Sequence, residues 1–235
     1  MPAAWDDPRI ARGMKEQLAS RRARIAAGAA PLGWKVGFGA PAMMEKFRIT
    51  APLVGYLMKG GLITSGGSAS LKGWVKPVAE PEIAVRIGRD LAGGGDRTAA
   101  SAAIAALAPA IELADAEIPF DDPEAILKRN IFQRHVILGP PDPSRAGGNT
   151  SGLTARLLRR NAETARTSDP EATTGRLVDI VRHVADLLAA FGEKLSGGDI
   201  IICGSVVPPV LVEADETAVA YALDPIGTIS VAFTR

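Results

Sequence analysis

Apolar and polar positions alternate with a strand period over much of the chain and follow a helical period over only a few stretches. The clearest strand is predicted at 77–88, where Ala79, Ile83, Val85 and Ile87 fall on one side of an extended backbone, because successive side chains of a strand point to opposite faces. Further short strands are expected at 33–38, 109–115 and 133–138, and then in close succession at 199–204, 209–213, 216–223 and 226–234. Helical spacing is sharpest from 175 to 195, where Leu177, Ile180, Val181, Val184, Leu187, Leu188, Phe191 and Leu195 form one apolar stripe and Gly197-Gly198 supplies a stop. An Arg-rich amphipathic helix is expected over 7–28. An Ala-rich one is expected over 98–107, capped by Asp96 or Thr98, and a short one over 122–129, opening at Asp122-Pro123. Residues 140–152 and 167–175 read as loops, and 40–72 as mixed structure with Gly-rich turns. A strand-rich ending with few helices predicts an α+β fold around a β-rich core.

With 235 residues, 47% of them apolar, the chain can bury a sizeable core. A net charge of +1, with no basic stripe interleaved with aromatics, argues against a nucleic-acid partner. No apolar run reaches the roughly 20 residues of a membrane span, and Met1 to Asp7 show no secretory leader pattern. A single cysteine, Cys203, excludes an internal disulfide and fits a reducing cytoplasm. Its apolar surroundings suggest a buried, inert thiol.

The candidate chemistry is acidic. Glu80 and Glu82 sit at strand spacing and point the same way, and Glu112 is embedded in the apolar run Ala105 to Leu113, where a carboxylate needs a partner. Three convergent carboxylates without Cys or His suit a hard divalent cation, Mg²⁺ or Mn²⁺. The ordinary alternative is that Glu80, Glu82 and Arg86 form the solvated face of an edge strand. Asp115 and Glu117, just beyond Glu112, are either ligand-orienting groups or turn residues. Lys35, in Gly33-Trp34-Lys35-Val36-Gly37, shares its face with two glycines, which leaves room for a small anion beside its ammonium group or marks an ordinary surface lysine. His183 lies on a polar helix stripe and reads as solvated, and His135 as an ordinary strand residue.

The order of these pieces resembles the fumarylacetoacetate hydrolase superfamily, in particular its 2-keto-4-pentenoate hydratase branch. The matching segments are Gly33-Trp34-Lys35-Val36-Gly37, Gly55-Tyr56-Leu57, Glu80-Pro81-Glu82-Ile83-Ala84, Ala110-Ile111-Glu112-Leu113-Ala114-Asp115 and Asn130. They continue with Leu195 to Ile201, Gly204-Ser205 and Ile226 to Val231. The resemblance implies a mixed β-roll with a few flanking helices, formed by a catalytic domain over 31–235 after an N-terminal helical segment, 1–30. It implies a divalent metal on Glu80, Glu82 and Glu112, a catalytic Lys35, and substrate contacts at Asn130 and Ser205. The implied activity is that of a hydro-lyase adding water to a small anionic 2-hydroxy-dienoate or 2-oxo-enoate, in a homo-oligomer, with Lys35 or Asp115 as general base. Family members often carry an acid where this chain has Leu53, which leaves three rivals: 2-oxo-enedioate decarboxylation, acylpyruvate cleavage, and a non-catalytic partner role. The lack of any histidine before residue 135 disfavours the hydrolase. Arg48, Arg134 and Lys59 are candidates for meeting a distal carboxylate.

Overall fold

A computed structural model describes residues 3–160 and 162–235. In chain order the elements are α1 (Pro8–Ala26), β1 (Pro31–Gly37), α2 (Pro41–Phe47), β2 (Leu53–Met58), β3 (Leu62–Thr64), β4 (Ser68–Ser70), β5 (Pro77–Ile87), α3 (Arg97–Ala103), β6 (Ile104–Asp115), α4 (Pro123–Lys128) and β7 (Gln133–Leu138). They continue with β8 (Thr154–Arg159), β9 (Ala162–Thr167), α5 (Leu177–Ala190), β10 (Ile200–Ser205), β11 (Val210–Leu211), β12 (Ala218–Asp224) and β13 (Gly227–Thr234). The larger sheet runs β2-β1-β10-β5-β6-β7-β3, with β11 also on β5; the smaller runs β4-β13-β12-β8-β9. Both are mixed: β1/β10, β3/β7 and β13/β4 are parallel pairs, and the others are antiparallel.

The centre of the larger sheet is the long pair β5/β6, with strands β10 and β1 beyond it. Ile83, Val85, Ile87, Leu107, Ile111 and Leu113 enter the main core from these strands. Helix α5 closes this core with Leu177, Ile180, Val181, Val184, Leu187 and Leu188, all buried, each contributing roughly 1.5–3 kcal/mol by leaving water. Helix α1 adds Ile10, Met14 and Leu18 to the same core, so the N-terminal helix packs as part of one body with the sheets. Its Arg21 lies over the Trp34 ring at 4.5 Å.

Two expectations need correction. The Ala-rich helix ends at Ala103, and Ile104 already opens β6. Helix propensity there yields to pairing with β5, which continues to Ile104 opposite Ile87. The α5 helix stops at Ala190, and Gly192 turns the chain with φ 73°. Leu195 belongs to an extended bridge with Leu91 instead. The hairpin β8/β9 is an element the periodicity did not announce.

Candidate active site

One face of the larger sheet carries the candidate chemistry. Glu80 lies directly opposite Glu112 in the β5/β6 register, and Glu82 opposite Ala110. Across β10, Lys35 pairs with Ile202, which pairs with Ala84, so Lys35 shares that face. Leu57, Ala84, Ala108, Ala110, Val136 and Ile202 form a small apolar cluster there, separate from the main core. Lys35 and Glu112 are 1% exposed and Glu82 is 0% exposed. The solvated-edge reading of the pair is therefore excluded: β5 is interior to the sheet.

Lys35 is held from three sides. Its Nζ forms an ion pair with Glu112 Oε1 and donates to the Ile131 carbonyl at 3.1 Å. Gly55, its cross-strand neighbour, makes space for the stem; a Cβ there would lie 2.9 Å from Lys35 Cγ. The expectation of an open space beside Gly33 and Gly37 does not hold. A Cβ on Gly33 would lie 2.0 Å from the Ile200 carbonyl oxygen and one on Gly37 3.1 Å from Ile131 Cγ2. The glycines admit neighbouring chain, and the group beside the ammonium is Glu112.

The Ile131 carbonyl is presented by an unusual turn. Asn130, Ile131 and Phe132 all have positive φ, between 51° and 63°, and Phe38 across the pocket has φ 57°. Such left-handed geometry costs a non-glycine residue roughly 1–2 kcal/mol and concentrates at functional sites. Asn130 pins this turn: its Oδ1 accepts from the Tyr56 amide at 2.8 Å and its Nδ2 donates to the Tyr56 carbonyl at 2.9 Å. Both ends of the amide are used on β2, so Asn130 positions Lys35's acceptor and does not line the pocket, contrary to its expected substrate contact.

Glu82 is seated by a break in strand pairing. The β10/β5 register shifts between Ile202 and Ser205, and this bulge aims the Gly204 amide at Glu82 Oε2, 2.6 Å away. Glu82 Oε1 is buried without a partner. Burial, then the charges of Glu112 and Glu80, pushes the Glu82 carboxyl well above its usual range. Burial and Glu112 also push Glu80 up to about 7, with Lys35 opposing. These carboxylates have only one buried ammonium among them. Among the described residues, no group of three or more His, Cys, Asp or Glu side chains stands in an arrangement that could hold a metal ion; Glu112 is engaged by Lys35.

Lys35, Glu80, Glu112 and Ser205 line a cavity of about 480 Å³. Ser205 donates from Oγ to the Val207 carbonyl at 2.7 Å. Asp115 is not among the lining residues. Its Oδ1 accepts from the Val75 and Lys76 amides at 3.0 and 2.8 Å, and Arg134 approaches Oδ2, so its catalytic assignment gives way to anchoring of the 75–76 backbone. Leu53 is buried and lines a different cavity, beside α1. Arg48, Arg134 and Lys59 also lie outside the carboxylate pocket, while Lys76, Thr173, Thr174 and Phe120, which sequence reasoning missed, line it. Cys203 lines it too, and burial pushes its thiol up, consistent with inertness. His183 is not solvated: its Nε2 meets the Pro52 carbonyl at 3.0 Å, and burial lowers its pKa. His135 stacks on Trp74, with 6.0 Å between ring centroids. No helix among the described residues is long and apolar enough to cross a membrane.

Residues 41–233 match the fumarylacetoacetate (FAA) hydrolase C-terminal family. The chain belongs to that family. Among curated relatives, a 2-hydroxyhexa-2,4-dienoate hydratase of Comamonas testosteroni is 27% identical over 221 residues, covering 91% of this chain and 82% of that protein. A 4-oxalocrotonate decarboxylase of a Pseudomonas species is 28% identical over 190 residues, 80% of this chain and 73% of that protein. The fold agrees with the solved 4-oxalocrotonate decarboxylase from Pseudomonas putida G7, complexed with magnesium and adipate, with a TM-score of 0.87 at 23% identity over 96% of this chain and 86% of that one. The expected family fold, a mixed α+β architecture with a few helices, is thus the fold observed.

Proposed function

We propose that this protein is a divalent-metal-dependent hydro-lyase acting on a small 2-hydroxy-dienoate or 2-oxo-enoate. The observation that carries this reading is the acidic face: buried Glu82 and Glu112 and half-buried Glu80 around one ammonium, with Glu82 Oε1 unpartnered and two carboxyl groups pushed toward their neutral forms. Such a surplus of buried carboxylate is costly unless a cation joins it, and Lys35 already stands beside Glu112 as one cation. The donor set is all oxygen, as Mg²⁺ or Mn²⁺ prefers. Relatives named as hydratases support the reaction class, and a magnesium-complexed structure of the same fold supports the metal.

Glu80, Glu82 and Glu112 would hold the metal, which supplies Lewis-acid polarisation of the substrate's 2-oxo group when bound. Lys35 gives the acidic floor the positive charge an anionic substrate needs and donates from Nζ to the developing enolate oxygen. Because Asp115 faces away from the pocket, Lys35 is the group that moves protons at the pocket floor. Ketonisation of the dienol carries its 2-hydroxyl proton to C5; water then adds, hydroxyl to C4 and hydrogen to C3, giving a 4-hydroxy-2-oxo acid. Acylpyruvate cleavage is disfavoured: among the described residues lining the pocket there is no histidine. Decarboxylation of a 2-oxo-enedioate would use the same enolate stabilisation and is supported by the decarboxylase relative.

The test follows the ultraviolet absorbance of 2-hydroxypenta-2,4-dienoate with Mg²⁺ and with excess chelator. Metal-dependent loss of the conjugated band, yielding the 4-hydroxy-2-oxo acid, is expected. An unchanged band with metal bound would reject the hydratase.

A further inference from the structure

The carboxylate floor is only one end of a cavity far larger than a five-carbon acid. Its volume of about 480 Å³ equals roughly sixteen bulk waters at ~30 Å³ each. Three aromatic rings, Phe38, Phe120 and Phe132, form one wall of the remainder. Phe120 packs against Phe38 at 5.3 Å and Phe132 at 5.7 Å between centroids, and Phe47 supports Phe38 at 5.2 Å. Met43 and Val78 extend the same surface. Phe38 and Phe132 are both in left-handed conformations that bulky residues rarely adopt, with φ 57° and 63°. Besides Lys35, the only cation among the described lining residues is Lys76, at the exposed rim, with its ammonium 5.6 Å from the Phe120 ring centroid.

Resting on the 2-oxo-acid reading above, we propose that the substrate carries a bulky, uncharged apolar tail beyond its reacting carbons, seated on the Phe38–Phe120–Phe132 wall. Each methylene moved from water onto such a wall raises affinity about fourfold, and a terminal ring stacks edge-on or offset against the phenyl groups. A tail ending in carboxylate would instead be desolvated among these rings, with Lys76 alone to answer it.

Two measurements on the full-length, Mg²⁺-loaded protein test this. The first is kcat/KM for a series of 2-hydroxy-dienoates ending in hydrogen, alkyl, phenyl and carboxylate. The second is calorimetric affinity for the corresponding saturated 2-oxo acids, which do not react. Both are expected to rise about fourfold per methylene, with the phenyl member at least tenfold above the five-carbon acid and the carboxylate member weakest. Phe120→Ala, and independently Met43→Ala, should reduce the phenyl-to-five-carbon ratio about tenfold. Turnover of the five-carbon acid with flat length dependence, or a preference for the carboxylate tail that Lys76→Ala abolishes, would overturn the inference and leave the hydratase reading standing. Affinity that rises with the tail without turnover of any member would uphold the inference and reject the hydratase. Neither binding nor turnover at any length would reject both.

Discussion

Two ion pairs, each with a fully buried glutamate, show how differently this fold uses charge. Glu216 is 0% exposed, and Arg159 meets it with a two-pronged guanidinium, Nε reaching both carboxylate oxygens at 3.0 Å while Nη2 pairs with Oε2. Arg235 adds a bond to the Glu216 carbonyl. That pair is balanced one to one. On the larger sheet, Lys35 serves Glu112 while Glu80 and Glu82 crowd the same face, and Glu82 Oε1 has no partner. One site ties the end of the chain to the smaller sheet; the other borders a cavity and sets three carboxyl groups against a single ammonium. The unbalanced burial, more than burial itself, marks the functional face.

The comparison breaks most sharply on substitution. Glu82→Gln should lower metal-dependent kcat/KM more than a hundredfold with little change in the thermal midpoint of the metal-free protein, because burial already pushes the Glu82 carboxyl toward its neutral form, which a glutamine amide resembles. Lys35→Met should also abolish turnover, and it should destabilise the metal-free protein by about 3–5 kcal/mol, since Glu112 is left buried without its partner. Added Mn²⁺ should recover much of that loss in a thermal scan. Arg159→Met should cost a similar ~3–5 kcal/mol, but Mn²⁺ should not repair it, and the folded fraction should turn over substrate normally.

A pH titration sharpens the contrast. Burial and Glu112 push the Glu80 carboxyl up to about 7 in the fold, from 4.5 for a free glutamate. A raised carboxyl favours the fold below pH 4.5 and loses that contribution as pH rises through 7. Metal-free protein should therefore lose stability, on the order of 2 kcal/mol, between pH 5 and 8. Glu80→Gln should flatten this slope, measured by urea unfolding. The smallest effect is expected of Asp115→Asn: about 1–2 kcal/mol of stability from weaker acceptance of the 75–76 amides, with kcat essentially retained. A hundredfold loss of kcat there would restore Asp115 to catalysis.

Much of the site was legible because strand parity is strict. Glu80 and Glu82, two apart, had to share a face, and the order of motifs from Gly33 to Val231 carried the family. The same parity explains the error at Asp115: it is three residues beyond Glu112 on one strand, and so points to the other face. Asn130 was found but misread, because its partners lie on β2, far away in sequence, and no local pattern shows three consecutive left-handed residues. Lys76 and Phe120 sit in segments without periodicity, so nothing in the sequence placed them beside Lys35. The β6 strand was legible from 109 onward, yet its first residues are Ala-rich and favour helix until β5 pairs with them.

The central claim is that the acidic face is a single cation site, and a calorimetric titration of metal-free protein with Mn²⁺ at pH 7 in buffers of different ionisation enthalpy tests it most directly. One Mn²⁺ per chain should bind with release of protons from the raised carboxyl groups, and Glu82→Gln should weaken that binding more than tenfold while Arg159→Met, where folded, leaves it intact. Absence of binding, or equal binding in Glu82→Gln, would contradict the account.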